Sequence, residues 1–382
     1  MDPALSDEAF QERILPQVSR TFALTIPQLP HALRTAVTNA YLLCRIADTI
    51  EDEPALSADA SLELLQRFVA VTYGREDPVL LARELGARLS DRTLASEREL
   101  VLHMDRVIRV TTGLAEHQRG AIRRCVEIMC SGMHQFQRTA SLRGLPRLAD
   151  LDEYCYYVAG VVGQMLTELF CGYSAQIMRQ RVAMHDLALS FAQGLQMTNI
   201  LKDVWEDRSR GACWLPREVF VRHGIDLAQL SAQHLDSRFS AAMHELVAVA
   251  HAHLRNALSY TLLIPGEEEG IRRFCLWAIG LAVLTLRKIE RTPGFTAGSQ
   301  VKITRRAVAL TRTLTSLAVR RDWVLRRLFG VAAGPLPLAT LSSARQLSRR
   351  YPDLPVATVD YEPASAPATL RARRASEGRS AG

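Results

Sequence analysis

Two segments of the chain carry the same acidic motif, D-x-x-E-D, at residues 48–52 and 203–207. On a helix, positions i, i+3 and i+4 lie on one face, so each motif points three carboxylates in one direction. Carboxylates without histidine or cysteine are typical of Mg²⁺ sites, where water and substrate phosphate complete the coordination shell. The motifs therefore predict a Mg²⁺ site with six candidate ligands: Asp48, Glu51, Asp52, Asp203, Glu206 and Asp207.

The alternative for both motifs is an ordinary solvated helix face, where carboxylates are common. Each motif, however, interrupts an otherwise apolar stretch, AYLLCRIADTI in the first case and FAQGLQMTNILKDVW in the second. Carboxylates packed unpaired beside apolar side chains would be costly, and divalent cations remove that cost. The metal interpretation is therefore favoured over the solvated face.

Basic residues accompany each motif: Arg45 precedes the first, and Lys202, Arg208 and Arg210 surround the second. Cations beside metal-binding carboxylates suit a diphosphate group. For Arg208 and Arg210, simple intrahelical ion pairing stays open as an alternative. A large apolar helical core beside such a site predicts a long hydrocarbon on the diphosphate, whose ionisation needs a stabilised leaving group and exclusion of water. These features converge on isoprenoid chemistry.

The elements that must position these residues are helices. Strand signals are nearly absent, whereas helical periodicity predicts helices over residues 32–50, 98–139, 151–179, 186–205, 235–263 and 269–289. The longest apolar run, residues 274–286, has 13 residues, and a membrane span needs roughly 20, so a buried core helix is expected. We predict one all-α domain over residues 1–342 and a disordered basic tail over residues 343–382.

Composition narrows the function classes. The 382 residues include seven cysteines with no CxxC pair, which indicates reduced core thiols and a cytoplasmic protein, and the N-terminus lacks a secretory pattern. A net charge of +7 suits nucleic acid, an anionic membrane or a phosphorylated substrate. No nucleic-acid-reading element is found, so no nucleic-acid partner is expected.

A di-iron site is the other all-α alternative, and it would need Glu-x-x-His pairs. Neither acidic motif has a histidine nearby. His251 and His253 lie two residues apart, so they point to different helix faces and cannot easily chelate one metal ion. A di-iron site is therefore not expected.

In its motifs the chain resembles the squalene/phytoene synthase family over residues 19–306. The resemblance rests on the S-R-T-F segment at 19–22, the first acidic motif with Tyr41 and Arg45, and the Y-C-Y-Y-V-A-G-V-V-G helix at 154–163. It continues through the second acidic motif with Gln196 and Asn199, and through W-L-P at 214–216. Three separated motifs in the same order as in the family make the match specific.

The resemblance implies an isoprenoid synthase-type helical bundle with a central cavity, and aspartate-rich helices facing each other across its mouth. It implies catalytic roles for Tyr154, Tyr41, Asp48, Asp52, Asp203 and Asp207. It implies binding of prenyl diphosphates by Ser19, Arg20, Phe22, Arg45, Gln196, Asn199, Lys202 and Arg210. The tyrosine that matches Tyr154 assists ionisation or proton transfer in the family, the alternative being a core tyrosine.

Several activities occur in the family. Squalene synthases join two farnesyl diphosphates through presqualene diphosphate and reduce the product with NADPH, whereas phytoene and dehydrosqualene synthases do not reduce. Segments 48–52, 128–133 and 154–160 resemble squalene synthases, and Phe274, Cys275 and Lys302 resemble positions near their nicotinamide site. The alternative is that Phe274 and Cys275 are an ordinary core pair and that Lys302 is an ordinary surface lysine. We therefore expect squalene formation with Mg²⁺ and NADPH, with phytoene or dehydrosqualene synthesis as the alternative.

The chain also departs from the family pattern. Ala212 stands where the family commonly has a diphosphate-contacting arginine, for which Arg208 or Arg210 could compensate, and Ala278 replaces a proline near the reductant site of the eukaryotic enzymes. Those enzymes carry a C-terminal membrane anchor, whereas here the end is polar. We expect a cytoplasmic monomer with at most a peripheral contact to the inner face of the membrane, through residues 320–329.

Overall fold

The computed structural model describes residues 5–19 and 21–339, and within them every regular element is helical. The predicted tail and Arg20 lie outside these residues. Leu145 and Pro216 form an isolated β-bridge. An isolated bridge is not a strand, so the all-α prediction is confirmed. The helices are α1 (Asp7–Val18), α2 (Phe22–Thr25), α3 (His31–Glu51), α4 (Ala58–Thr72), α5 (Pro78–Arg88), α6 (Ala95–Leu102), α7 (Met104–Gly113), α8 (Glu116–Gln137), α9 (Leu148–Cys155), α10 (Val161–Tyr173), α11 (Ala175–Met178), α12 (Arg181–Lys202), α13 (Val204–Ser209), α14 (Arg217–Arg222), α15 (Ser237–Leu263), α16 (Glu269–Arg291), α17 (Arg305–Ala318) and α18 (Asp322–Ala333).

Side chains at the helix starts supply the hydrogen bonds that the first backbone N–H groups lack. Ser6 caps α1, Ser57 caps α4, Asp77 caps α5 and Asp236 caps α15, each accepting from an N–H in the first turn. In α5 the cap is followed by Pro78, whose missing N–H costs nothing at that position. Local sequence therefore sets where these helices begin.

The centre of the fold is a group of long apolar helices. α12 packs along α15, and α10 and α16 pack against them. Glycines allow the close approach of these helices. A Cβ on Gly163 of α10 would lie 2.7 Å from the carbonyl oxygen of Ala188, and one on Gly194 of α12 would lie 2.9 Å from Leu254 of α15.

Three of the predicted helices are interrupted. The segment 98–139 divides into α6, α7 and α8, with breaks at His103 (φ −111°, ψ 28°) and at the extended Leu114. The segment 151–179 contains a π-helical turn, Tyr156–Gly160, and an extended Ser174. The segment 186–205 starts earlier, at Arg181, and bends at Asp203 (φ −99°, ψ 15°). Apolar periodicity continues across these breaks, so it could not reveal them.

No helix among residues 5–19 and 21–339 is both long enough and apolar enough to cross a bilayer. The apolar run 274–286 lies within α16, and Phe274, Leu276 and Ile279 are among its buried residues. The prediction that this run forms a core helix is therefore confirmed. All seven cysteines are free and buried.

Candidate active site

The first acidic motif lies at the C-terminal end of α3. Its Asp48 carboxylate is 3.5 Å from the Arg45 guanidinium, one turn earlier. Arg45 also donates to the Tyr41 hydroxyl at 3.3 Å, and Tyr41 donates to the carbonyl of Val18 at 3.0 Å. Because each side chain is held by the next, Tyr41 positions Arg45 beside the carboxylate. The Nε of Arg45 is buried and has no hydrogen-bond partner among the described residues, so the guanidinium is incompletely satisfied.

The N-terminal segment is fastened to α3 at the same place. Ser19 Oγ accepts from the backbone N–H of Phe22 at 3.0 Å, and the Phe22 ring packs on the Tyr41 ring with centroids 5.0 Å apart. The structure thus brings predicted residues Ser19 and Phe22 to Tyr41. Arg20, between them, lies outside the described residues.

The second motif straddles the bend between α12 and α13. Lys202 Nζ lies 3.1 Å from Asp203 Oδ2 and 3.5 Å from Asn199 Oδ1. Glu206 accepts from the backbone N–H of Gly298 at 3.0 Å, which ties the motif to a 3₁₀ turn, Gly298–Val301. Gln196 is half-buried one turn before Asn199. Helical hydrogen bonds continue across the bend, from Asp203 N–H to Asn199 and from Asp207 N–H to Asp203, so the carboxylates stay grouped.

The two motifs meet. Arg210, just after α13, lies 3.6 Å from Asp52 at the end of α3, and both side chains are well exposed, by 64% and 60%. Asp207 of the second motif is close enough to Asp52 of the first for their charges to interact. Residues 155 positions apart in the sequence therefore share one site that opens to solvent.

The carboxylates of this site hold their protons unusually strongly. Burial raises the pKa of Asp48 to about 6, with the charges of Asp52 and Glu97 adding to the effect. Burial, with the charge of Asp203 next, raises the pKa of Asp207 to about 7. The pKa of Glu51 is also raised by burial, then by Asp48. A cation would relieve this concentration of negative charge, so the donor set fits a divalent metal ion.

The carboxylates are spread along the mouth of the site. Among the described residues, no three or more carboxylate, histidine or cysteine side chains converge on one point as a complete metal-binding group. Mg²⁺ commonly takes only one or two carboxylates and fills its remaining positions with water and substrate phosphate. The arrangement therefore suits ions held jointly by protein and a phosphorylated ligand.

Tyr154 occupies an aromatic pocket beside the carboxylates. Its ring stacks on Trp214 with centroids 4.2 Å apart and an interplanar angle of 8°, and Phe136 meets it edge-on at 5.2 Å. Burial raises the pKa of the Tyr154 phenol well above its ordinary value, and the charge of Glu51 is the next cause. The phenol therefore keeps its proton. Motif matching included Trp214 only within W-L-P and did not reveal this stacking, because the two rings come from distant segments.

A π-helical turn, Tyr156–Gly160, directly follows α9, which carries Tyr154. Such turns are rare and often occur at functional sites, because the extra residue shifts the direction of the side chains after it. The turn coincides with the Y-Y-V-A-G part of the predicted motif. Its sequence shows nothing that distinguishes it from an α-helix.

The two arginines that follow the second motif differ in their contacts. Arg208 donates to the carbonyl oxygens of Leu142 at 3.2 Å and Leu230 at 2.8 Å, so it connects surrounding loops. Arg210 instead faces Asp52 across the mouth. Arg210 is thus the better placed of the two to serve in place of the arginine absent at Ala212.

The three predicted nicotinamide-site residues lie in two different parts of the fold. Phe274 and Cys275 are buried in α16, and the Phe274 ring packs edge-on against Phe170 of α10 with centroids 6.2 Å apart. Lys302 is exposed and directly follows the Gly298–Val301 turn that binds Glu206. Lys302 therefore follows an element that contacts the second motif directly, whereas α16 packs against that turn and against α12, which leads into the motif.

An open cavity of about 770 Å³ lies apart from the acidic motifs, between α15, α18 and residues 336–339. None of the acidic-motif residues lines it. His251 lines this cavity and binds the carbonyl of Pro337, whereas His253 binds Ser190 in the core. The two histidines therefore have separate partners, as their spacing predicted.

The chain is similar in sequence to several squalene synthases and similar in fold to solved structures. The chain is 30% identical over 292 residues to "Squalene synthase clz20" of Cochliobolus lunatus, covering 76% of this chain and 67% of that protein. It is 28% identical over 334 residues to "Squalene synthase" of Nicotiana benthamiana, covering 86% and 74%. A solved structure described as TcSQS with the ligand BPH1237 has a TM-score of 0.70 at 24% identity, covering 90% of this chain and 96% of that one.

The structural similarity confirms that the fold is of the isoprenoid synthase type. The family model described as "Squalene/phytoene synthase" matches residues 15–307, about three quarters of the chain. This range includes both acidic motifs and the tyrosine-bearing helix between them. The chain therefore belongs to the squalene/phytoene synthase family.

Proposed function

We propose that this protein joins two molecules of farnesyl diphosphate head to head, through presqualene diphosphate, and that NADPH reduces the product to squalene. The observation that carries the proposal is the contact of 3.6 Å between Arg210 and Asp52, which brings both acidic motifs to one mouth. Its relatives in plants and fungi are named squalene synthases, which supports the same substrate and product.

Asp48, Asp52, Asp203 and Asp207 are the residues that would hold Mg²⁺. When bound, the metal supplies positive charge that stabilises the departing diphosphate. Glu206 accepts from the Gly298 N–H through Oε1, which keeps the Gly298–Val301 turn against the motif and leaves Oε2 as a further candidate ligand. Glu51 is a further candidate ligand, and its raised pKa means that a bound metal ion would have to displace its proton.

The cations of the site would bind the diphosphate oxygens directly. Arg45 is held in place by Tyr41, so its guanidinium reaches the substrate at little entropic cost. Lys202 and Arg210 approach from the second motif, and Gln196 and Asn199 add amide groups on the same helix. Ser19 and Phe22, which lie beside Tyr41 of α3, and Arg20, which lies outside the described residues, complete the predicted diphosphate-binding set.

Tyr154 acts inside the aromatic pocket formed with Trp214 and Phe136. Its raised pKa keeps the phenol protonated near the carboxylates, so it can donate a hydrogen bond to the departing diphosphate. The aromatic rings exclude water, which would otherwise capture the carbocation formed when the allylic diphosphate ionises.

Condensation without reduction, giving dehydrosqualene or phytoene, is the second candidate. It is favoured by the burial of Phe274 and Cys275 in the core and by Ala278. Exposed Lys302, beside the Gly298–Val301 turn, supports the NADPH-dependent reaction instead, because its charge suits a phosphate of the cofactor. The seven free, buried cysteines support a location in the reducing cytoplasm.

Product identification tests the proposal. The purified protein is incubated with farnesyl diphosphate and Mg²⁺, with and without NADPH, and parallel reactions use geranylgeranyl diphosphate. We expect squalene from farnesyl diphosphate only when NADPH is present. Phytoene from geranylgeranyl diphosphate, or dehydrosqualene unchanged by NADPH, would overturn the squalene assignment and leave the condensation standing.

A further inference from the structure

α17 exposes an apolar stripe that no other described element covers. Of its 14 residues only Ala318 is buried. Leu310, Leu314 and Leu317 follow one another at intervals of four and three residues, so they lie on one face of the helix. Leu310 and Leu317 are 59% and 76% exposed. Exposed leucines aligned in this way indicate a binding surface rather than scattered surface residues.

Trp323, in the first turn of α18, is a further large apolar side chain left exposed, at 70%. The other apolar residues of the predicted contact segment 320–329 face inward. Leu325 belongs to a buried cluster with Leu258 and Leu276, and Phe329 packs against that cluster. The exposed apolar side chains therefore come mainly from α17 and not from the segment singled out in the sequence.

The segment that carries these side chains is strongly basic. Residues 305–333 contain seven arginines and a single acidic residue, Asp322, which lies 2.7 Å from the buried Arg272. Among the described residues, six of the arginines form no ion pair. Arg312 lies over the Trp277 ring, 4.5 Å from its centroid, and the other five have no acidic partner: Arg305, Arg306, Arg321, Arg326 and Arg327. Their charge can therefore attract an anionic partner.

We propose that α17 and the start of α18 dock on an anionic lipid bilayer. The docking surface consists of Leu310, Leu314, Leu317 and Trp323 with Arg305, Arg306, Arg321, Arg326 and Arg327, of which Arg326 also lines the cavity between α15 and α18. Leucines and tryptophan enter the boundary between headgroups and acyl chains, while arginines contact anionic headgroups. α17 begins four residues after the Gly298–Val301 turn that binds Glu206, so the start of this helix follows directly on an element of the candidate active site.

Vesicle co-sedimentation tests the proposal with the full chain. Vesicles of phosphatidylcholine alone are compared with vesicles containing phosphatidylglycerol, at low and high salt. We expect binding to the anionic vesicles that weakens as salt rises. The variant L310Q/L317Q should bind at least about tenfold more weakly, because it removes two inserting side chains. The variant R326Q/R327Q should lose about fivefold per arginine.

The matched control is L80Q/V182Q, which alters equally exposed apolar residues on α5 and α12, at 60% and 77% exposure. It should bind vesicles like the unaltered protein. All variants keep residues 340–382, so any contribution of that segment is common to them. Equal binding by L310Q/L317Q and the control would overturn the proposal. So would a dimer in sedimentation velocity that L310Q/L317Q dissociates, because the stripe would then join two copies of the chain.

Discussion

Replacing Arg210 with methionine tests which arginine serves the diphosphate. Arg210 is well exposed and its pairing with Asp52 spans 3.6 Å, so its contribution to folding stability should be about 0–1 kcal/mol. Charge-assisted hydrogen bonds to a phosphate oxygen are worth about 1.5–3 kcal/mol. We therefore expect R210M to lower kcat/KM for farnesyl diphosphate about 10- to 150-fold with nearly unchanged urea unfolding.

Arg208 provides the matched comparison, because it stands two residues away with the same charge. Its guanidinium donates to the carbonyls of Leu142 and Leu230, so R208M should lower the free energy of unfolding by about 1.5–3 kcal/mol. At a temperature where the variant stays folded, its kcat/KM should stay within about threefold of the unaltered protein. If R208M lost turnover and R210M did not, the assignment of Arg210 to the diphosphate would be wrong.

Three further predictions concern the core and the aromatic pocket. Burial lowers the pKa of His253 to about 4, so the unfolded chain binds a proton near pH 6.5 that the folded chain does not bind. The contribution of His253 to stability should be full above about pH 6.5 and fall by on the order of 3 kcal/mol towards pH 4. It is measured by urea unfolding as the difference between the unaltered protein and a His253→Gln variant, because the raised pKa values of Asp48 and Asp207 act in the opposite direction over the same range. The Gly163→Ala variant should unfold about 1–3 kcal/mol more easily, because its Cβ would meet the Ala188 carbonyl. The Tyr154→Phe variant should keep the stacking on Trp214 and its thermal stability but turn over at least about tenfold more slowly.

Each of these predictions has its own control. A His253→Gln variant cannot titrate, so a pH slope unchanged by this substitution would assign the slope to other groups. Gly120 lies inside α8 with no atom within 4 Å of an added Cβ, so Gly120→Ala should stabilise by about 0.5–1 kcal/mol. Equal destabilisation at Gly120 and Gly163 would refute the close-packing argument. Normal turnover by Tyr154→Phe would make this residue structural only.

The long helices could be predicted because their apolar residues recur at helical intervals over several turns. α3, α15 and α16 begin and end within two residues of the positions predicted for them. The breaks at His103 and Asp203 could not be predicted in this way. Each requires only one residue with altered backbone angles, which leaves the apolar periodicity on either side unchanged.

For the site, spacing within one helix predicted which carboxylates lie together, but contacts between distant segments needed the fold. Nothing in the sequence distinguishes Arg210, which reaches Asp52, from Arg208, which binds two loop carbonyls. The stacking of Trp214 on Tyr154 and the hydrogen bond from Gly298 to Glu206 join residues far apart in the chain. Helical spacing carries no information about such pairs.

The central claim is that both acidic motifs act together on the diphosphate of the substrate. The most direct measurement is the turnover of farnesyl diphosphate by Asp48→Asn and Asp203→Asn across a range of Mg²⁺ concentrations. Each substitution removes one charge and keeps the shape of the side chain. Loss of about 2–4 kcal/mol of leaving-group stabilisation predicts a decrease in kcat/KM of about 30- to 1,000-fold for each variant, largest at low Mg²⁺. Near-normal turnover by both variants at low Mg²⁺ would contradict the claim.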